Sequence, residues 1–374
     1  MNEMGVGDRR PAPGWARLLD ALAGTPLRDT LIRIDTHASQ VLLAGDYAIK
    51  LRRPVPVLAD VRCRRAALER ERACNASASP TVYEAVVPIP APATQPVPVA
   101  GWPVAALGEA PVDWALVMRR LPHARMLDRA IHSGRIGLAD IDRLASRLAG
   151  LHEAARRPSA DGGRALARID REQRHNRAGL PHLAALLDRC DEAWRAQRDA
   201  VRIRIAQGEI VDAHGDLRPE HVCLTEPIEL IDRLEFDSTL RLLDPWEEIG
   251  LLGLFCAMAG AAWVGPRLAD RIEKATGRAR PPAALLAFYC AHHALVRARL
   301  AFAHLRERPA RRAQHWRDVT RRYGGYAEAA LAGWNSLAGG CGGMAGQGDA
   351  LAGSISSPAS AGAALATVNR SRSR

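Results

Sequence analysis

The sequence predicts an α+β fold with two lobes, a small sheet lobe followed by a mainly helical lobe. Over roughly the first 120 residues, short apolar runs alternate with turns that contain glycine or proline, a pattern typical of strands. From about residue 122, apolar residues recur every three or four positions, as at Leu138, Ile141 and Leu144, which is typical of amphipathic helices. We therefore expect a sheet lobe over 15–120 and a helical lobe over 121–337.

The sheet lobe is predicted to contain several strands and one long charged helix. Residues 15–34 are expected to form a helix and a short strand. Two apolar runs on either side of Gly45 predict a hairpin. The charged helix is expected over 61–76, and further strands over 82–120, one of them at 97–99.

The helical lobe is predicted to be interrupted once, by short strands between polar loops over 210–232. The longest apolar run, 249–264, is too short to span about 30 Å of hydrocarbon, so we expect a buried core helix there. Residues 338–374 are rich in Gly, Ala and Ser and are expected to form a low-complexity tail, because they bury too little apolar area to become ordered. Helices are predicted over 138–155, 183–206, 246–264, 283–306 and 312–335.

The composition places the chain among globular proteins and limits its partners. The 374 residues are 48% hydrophobic, which excludes global disorder, a collagen-like fibre and a disulfide-stapled mini-protein. The net charge is +11, but the arginines are spread along the chain among acids and only 5% of residues are aromatic. This distribution lacks the basic stripe of a nucleic-acid interface and favours anionic small molecules as partners. A basic RNA-associated protein is the alternative.

The cellular compartment can be predicted from the spacing of the cysteines and from the apolar stretches of the sequence. Seven cysteines are scattered without a C-x-x-C pair, which predicts reduced thiols. The first fifteen residues contain no apolar stretch that would predict a signal peptide. We therefore expect a soluble, cytoplasmic protein without a membrane partner.

Lysine is nearly absent from this arginine-rich chain. Lys50 and Lys274 are the only lysines among its 52 lysine and arginine residues. An ammonium group is a compact point charge, whereas a guanidinium group is a planar fork, so the two cations are not interchangeable. Lys50, in a predicted strand, is therefore a candidate functional residue; a surface strand lysine is the alternative.

Two acids follow short predicted strands. Asp216 lies in the sequence His214-Gly215-Asp216, in a polar loop between two strands, and Asp232 comes sixteen positions later at the end of the next strand. A carboxylate that accepts a hydroxyl proton, beside another that holds a divalent cation, suits phosphoryl transfer. A polar turn with solvated carboxylates is the alternative.

These motifs, in this order, resemble the aminoglycoside phosphotransferase branch of the protein-kinase-like family. The resemblance is closest to the phosphotransferase domain of bacterial proteins that pair it with a P-loop ATP-binding domain. No G-x-x-x-x-G-K-[ST] motif occurs in this chain, so that second domain is expected to be absent. The resemblance covers roughly residues 30–335, and its matching stretches are 36–54, 118–122, the His214 loop, the Asp232 strand and 294–299.

The resemblance implies a two-lobed, protein-kinase-like fold with a nucleotide site in the sheet lobe. Lys50 would bind the α- and β-phosphates of ATP, and a glutamate on the 61–76 helix would orient it. Glu71 and Glu69 are both candidates, and alignment through the neighbouring residues favours Glu71. Residues 118–121, beginning with Met118, would form the linker beside the adenine.

The resemblance also implies roles for the later acids. Asp216 would position the acceptor hydroxyl and take its proton, while His214 would brace the loop. Asp232 would bind Mg²⁺, with Mn²⁺ as an alternative metal. Glu235 would assist a second metal or lie in a solvated turn, and Asp244 is expected to cap a helix or brace a loop.

His221 departs from the family pattern. It occupies the position, five residues after Asp216, where the family carries a metal-binding asparagine, and it is therefore a candidate metal ligand although Mg²⁺ prefers oxygen. The expected function is ATP-dependent transfer of the γ-phosphoryl group to a hydroxyl of a small molecule that the sequence does not identify. A nucleotide-binding pseudokinase without turnover is the alternative.

Overall fold

The structure is a computed structural model in which the chain divides into two compact units. It describes residues 11–23, 31–36, 38–89, 111–157, 163–306 and 312–338. Of these, residues 11–123 and 229–236 belong to the first unit and the others to the second. The strand predicted at 97–99 and residues 339–374 of the predicted tail lie outside the described residues.

The elements confirm the α+β class. The strands are β1 (Ile32–Asp35), β2 (Ser39–Ala44), β3 (Tyr47–Arg52), β4 (Tyr83–Ile89), β5 (Asp113–Arg119), β6 (Val211–Asp212), β7 (Val222–Cys223), β8 (Glu229–Leu230) and β9 (Leu242–Leu243). The helices are α1 (Trp15–Ala23), α2 (Val61–Ala76), α3 (Leu127–His132), α4 (Leu138–Ala154), α5 (Gly163–Gly179), α6 (Ala184–Ala206), α7 (Pro245–Met258), α8 (Val264–Thr276), α9 (Ala283–Ala303) and α10 (Ala313–Ala338).

The first unit is built on a five-stranded antiparallel sheet with the order β1-β2-β3-β5-β4. β2 and β3 form the predicted hairpin, which turns at Gly45; its φ of 56° lies in the left-handed region that glycine adopts without strain. Side chains alternate between the two faces of a strand. Ile49 and Leu51 therefore enter the apolar cluster shared with α1, and Lys50 faces the opposite side of the sheet.

The helix predicted over 61–76 is confirmed as α2. Asp60 caps it by accepting a hydrogen bond of 2.6 Å from the backbone N–H two residues on. Leu68, Glu71 and Asn75 are buried along one face, at spacings of three and four residues. Leu68 packs into an apolar cluster with β4 and β5, so this face brings Glu71 and Asn75 to the sheet.

Helix α9 runs through the core of the second unit. Its Phe288 and Leu295 are fully buried in a cluster with Trp194 of α6 and Leu331 of α10. The rings of Phe288 and Trp194 stack with their centroids 5.3 Å apart. β6 and β9 pair antiparallel, and the loop that follows β6 carries the candidate catalytic residues.

The helix predicted over 246–264 ends earlier than expected, at Met258, and the helix that follows it, α8, was not predicted. α7 ends at Met258 because Gly260, with φ of 96°, closes a Schellman motif: its N–H donates to the Ala257 carbonyl (3.0 Å), and the Ala261 N–H donates to the Cys256 carbonyl (2.8 Å). α8 then begins at Val264. Within the described ranges, no helix is both long and apolar enough to cross a bilayer.

Candidate active site

A buried glutamate joins two cations in the first unit. Glu71 is 1% exposed; its Oε1 accepts a hydrogen bond from Lys50 Nζ at 2.6 Å, and its Oε2 accepts one from Arg52 Nη2 at 2.7 Å. Lys50 and Arg52 are two positions apart on β3 and project from the same face. Glu69, the other sequence candidate, is half-exposed and lies 3.7 Å from Arg72. The structure thus pairs Lys50 with Glu71.

Both cations of this group are held in the charged form. Burial alone would lower the pKa of Lys50, but the carboxylates of Asp232 and Glu71 outweigh it and hold the pKa above its ordinary value. The pKa of Arg52 is also raised, because Glu71 and Glu235 outweigh the effect of burial. The ammonium group of Lys50 is therefore a fixed positive charge.

Asp232 lies in a backbone turn that is fastened to the rest of the first unit. Its φ of 62° is in the left-handed region, which aspartate adopts more readily than most residues. Its N–H donates to Tyr83 Oη at 3.0 Å, and the next N–H, of Arg233, donates to Asn75 Oδ1 at 2.9 Å. The Asp232 side chain is 52% exposed, and its Oδ1 lies 3.3 Å from Lys50 Nζ. The turn presents an accessible carboxylate beside the buried lysine.

The predicted catalytic loop follows β6 in the second unit. Gly215 adopts a φ of 89°, and its N–H donates to Glu248 Oε1 at 2.8 Å. The other oxygen of Glu248 lies 2.9 Å from Nε2 of His152 on α4. His214 is buried, and its Nδ1 accepts the N–H of Asp216 at 3.3 Å. Glu248 and His214 thus hold the loop backbone at Gly215 and Asp216.

Asp216 is paired with two arginines. Arg218 Nε lies 3.1 Å from Asp216 Oδ2, and Nη1 of Arg297, on α9, lies 3.4 Å from Oδ1. Burial raises the pKa of the Asp216 carboxyl, but Arg218 and Arg297 outweigh it, so the pKa lies well below its ordinary value. Asp216 is therefore ionised, and it is a weak base while both guanidinium groups remain beside it.

His221 braces the same loop with both ring nitrogens. Nδ1 donates to the Asp216 carbonyl oxygen at 2.8 Å, and Nε2 accepts from Arg218 Nη2 at 3.0 Å. A metal ion would have to displace one of these partners. The contacts therefore favour a loop-bracing role for His221 over the metal-binding role that its position in the motif implied.

Met118 lies in the sheet of the first unit, not in a separate linker. It is on β5, opposite Ala48 of β3 and Tyr83 of β4. Its half-buried side chain packs against the apolar cluster that contains Leu68 and Leu116.

The two arginines beside Asp216 were not predicted from the sequence. Arg218 is only two positions after Asp216, so the motif itself could have suggested the pairing. Arg297 comes 81 residues after Asp216; it lies in the matching stretch 294–299, but no role for it followed from the sequence. Tyr83 and Asn75, which fasten the Asp232 turn, carry no comparable signal.

The donor chemistry fits Mg²⁺ at Asp232. Mg²⁺ prefers oxygen ligands and is commonly held by one or two carboxylates together with substrate phosphates and water. Asp232 offers such a carboxylate, whereas Glu235 is paired with Arg52. In the part of the chain that the structure describes, no three His, Cys, Asp or Glu side chains form a group that could hold a metal ion. A magnesium ion held by Asp232 would take phosphate oxygens and water molecules as its other usual ligands.

No family model matches the chain. Uncharacterized proteins of Mycobacterium bovis (strain ATCC BAA-935 / AF2122/97) and Mycobacterium tuberculosis (strain ATCC 25618 / H37Rv) are each 28% identical to it over 285 residues. The alignment covers 71% of this chain and 53% of each relative. The chain thus spans about half the length of the curated relatives it matches.

The chain is also similar to solved structures of small-molecule phosphotransferases. A choline/ethanolamine kinase family protein from Mesorhizobium loti is 16% identical with a TM-score of 0.48, over 87% of this chain and 97% of that one. Spectinomycin phosphotransferase in complex with ADP and spectinomycin is 14% identical with a TM-score of 0.48, over 84% and 98%. An aminoglycoside-3'-phosphotransferase of type VIII is 17% identical with a TM-score of 0.38, over 73% and 97%.

Proposed function

We propose that this protein is an ATP-dependent phosphotransferase that moves the γ-phosphoryl group to a hydroxyl of a small molecule. The observation that carries the proposal is the group formed by Lys50, Glu71 and Asp232. A buried glutamate fixes the lysine at 2.6 Å, and an accessible carboxylate stands 3.3 Å from the same ammonium group. Phosphoryl transfer requires positioning and charge neutralisation more than covalent chemistry, and this group supplies both.

The first unit would bind the nucleotide. Lys50 would contact the α- and β-phosphates, while Glu71 orients the ammonium group and keeps it protonated. Asp232 would hold Mg²⁺ or Mn²⁺, which when bound neutralises phosphate charge. Arg52 holds the second oxygen of Glu71 and so prevents this carboxylate from rotating away from Lys50.

The second unit would remove the proton of the acceptor. As the acceptor oxygen forms its bond to the γ-phosphorus, the bond from that phosphorus to the bridging oxygen breaks and ADP leaves. The hydroxyl proton passes to the carboxylate of Asp216. Glu248 and His221 would keep the loop backbone in place during this step.

A nucleotide-binding protein without turnover is the second candidate, and one observation favours it. Both oxygens of Asp216 face guanidinium groups, and the resulting low pKa makes this carboxylate a poor proton acceptor. The candidates differ in whether the guanidinium groups withdraw from Asp216 when substrates bind.

Measurements of ATP binding and of phosphoryl transfer on the same full chain distinguish a phosphotransferase from a nucleotide-binding protein without turnover. ATP is titrated calorimetrically with Mg²⁺ and with Mn²⁺, and γ-labelled ATP is then incubated with a mixture of sugars, amino alcohols and phosphorylated alcohols. A phosphotransferase binds ATP and moves the label to a hydroxyl compound. Binding without any movement of the label supports the second candidate, and absence of ATP binding contradicts both.

A further inference from the structure

Arg297 is a cation beside the candidate base whose hydrogen-bonding capacity is only partly used. Its guanidinium carbon lies 5.6 Å from the centre of the Phe255 ring. The rings of Phe255 and Tyr323 meet edge to face at 6.0 Å. Nη1 reaches Asp216 only at 3.4 Å, and Nε is buried with no hydrogen-bond partner among the described residues.

Arg218 is held much more firmly in the loop. Its three guanidinium nitrogens face Asp216 at 3.1 Å, Glu220 at 2.5 Å and His221 at 3.0 Å. If one guanidinium group must leave Asp216 before that carboxylate can accept a proton, Arg297 is the group with fewer contacts to lose. The Arg297 side chain is only 22% exposed, so once it has left Asp216 this partly buried cation is stabilised by a new anionic partner.

We propose that Arg297 binds a phosphate or carboxylate group of the acceptor, which is therefore a hydroxyl compound with a negative charge. This inference rests on the proposed phosphotransferase function. A guanidinium fork matches the geometry of phosphate and carboxylate, and the unpartnered Nε supplies one arm of that fork. As Arg297 turns to the acceptor, Oδ1 of Asp216 becomes available for the hydroxyl hydrogen bond.

The charge balance of the cluster supports an anionic acceptor. The two negative charges of Asp216 and Glu220 are balanced by the two positive charges of Arg218 and Arg297. A cationic acceptor would therefore find no carboxylate among these side chains that lacks a cationic partner. When Asp216 takes the hydroxyl proton it becomes neutral, and the cluster is left with an excess positive charge. An anionic group on the acceptor compensates that charge in the product state.

The test measures binding to the full chain by calorimetry, with saturating Mg²⁺ and a non-hydrolysable ATP analogue. Glycerol 3-phosphate, glycerol and choline share a hydroxyl and differ in charge, and inorganic phosphate is the minimal anion. Glycerol 3-phosphate and phosphate should bind beside the nucleotide, whereas glycerol and choline should not. Arg297→Gln should weaken phosphate binding by roughly 10- to 100-fold, the effect of losing a charge-assisted hydrogen bond. Arg321→Gln, at a 75% exposed position of α10, should leave it unchanged.

Arg297→Lys keeps the charge without the fork and should retain intermediate affinity; it replaces Arg297→Gln if that variant does not fold. Choline binding better than glycerol 3-phosphate, no anion binding, or equal binding by the wild type and both Arg297 variants would overturn the inference. Displacement of phosphate by the ATP analogue would also overturn it, because Arg297 would then serve the nucleotide. If ATP does not bind, but phosphate binds to the wild type and less well to the Arg297 variants, the proposed function is wrong and the anion site at Arg297 is supported.

Discussion

Lys50 stands where an arginine would compete with a neighbouring arginine for the same carboxylate. Its Nζ occupies Oε1 of Glu71, and Arg52 already occupies Oε2. The side chain of Lys50 is 13% exposed, so a larger planar group has little room to turn towards solvent. This environment explains why one of only two lysines in the chain lies here.

Lys50→Arg should therefore impair ATP use although it preserves the charge. Displacement of the phosphates by on the order of 1 Å can cost about 100-fold in rate, so we expect kcat/KM for ATP to fall by about that factor. Lys274→Arg, at an exposed position of α8, is the matched control and should be neutral. Full activity of the Lys50 variant would make Lys50 an ordinary strand lysine.

His221→Asn should lower turnover by the same factor with Mg²⁺ and with Mn²⁺. The shorter amide cannot reach both the Asp216 carbonyl and Arg218, so the loop loses a brace while the metal site is unchanged. The ratio of the rates with the two metals is the quantity to measure. A shift of that ratio in the variant would mean that His221 is a metal ligand after all.

Side chains in the first turn of helix α7 contact both the core of the second unit and the candidate catalytic loop. Asp244 caps the helix, as predicted, by accepting the Trp246 N–H at 3.0 Å. Two buried glutamates follow in the first turn: Glu247 pairs with Arg168, and Glu248 accepts the N–H of Gly215. A change in α7 is therefore expected to reach Asp216 through the loop backbone.

Glu248→Gln should lower kcat by roughly 10- to 100-fold and leave the Kd for ATP unchanged. The amide can still accept the Gly215 N–H, but it cannot also accept a hydrogen bond from His152 without reorientation, so the loop is less well held. Glu153→Gln, at an exposed position of α4, is the control. Weakened ATP binding in the Glu248 variant would indicate a general loss of structure instead.

The crossing of α7 and α8 depends on two glycines. A Cβ atom at Gly253 would lie 2.9 Å from the Cα atom of Gly265, which is closer than packed backbones tolerate. Gly253→Ala should therefore lower the free energy of unfolding by about 1–3 kcal/mol in chemical denaturation. Gly150→Ala, in α4, meets no atom within 4 Å and should raise it by about 0.5–1 kcal/mol. A neutral or stabilising Gly253→Ala would contradict the close crossing.

At the scale of the whole molecule, the sequence predicted what periodicity and local motifs encode. Charge, apolar spacing and turn residues predicted α2 and the β2–β3 hairpin. The scarcity of lysine made Lys50 a candidate functional residue. The six-residue α3 is too short for a periodic signal, and α5 is too charged to show a wide apolar face. The pairing of Asp216 with Arg297 joins positions 81 residues apart, and tertiary packing of α9 decides it.

In the proposed phosphoryl transfer, Asp232 is the metal-binding carboxylate and Asp216 is the carboxylate that accepts the proton. The direct measurement is ATP binding, with Mg²⁺ and with a chelator, together with ATP consumption, for Asp232→Asn and Asp216→Asn. Asp232→Asn should weaken ATP binding only when Mg²⁺ is present and should also lower consumption. Asp216→Asn should preserve ATP binding while consumption falls by roughly 10² to 10⁴. If both variants bind and consume ATP as the wild type does, neither carboxylate serves the reaction and the account is wrong.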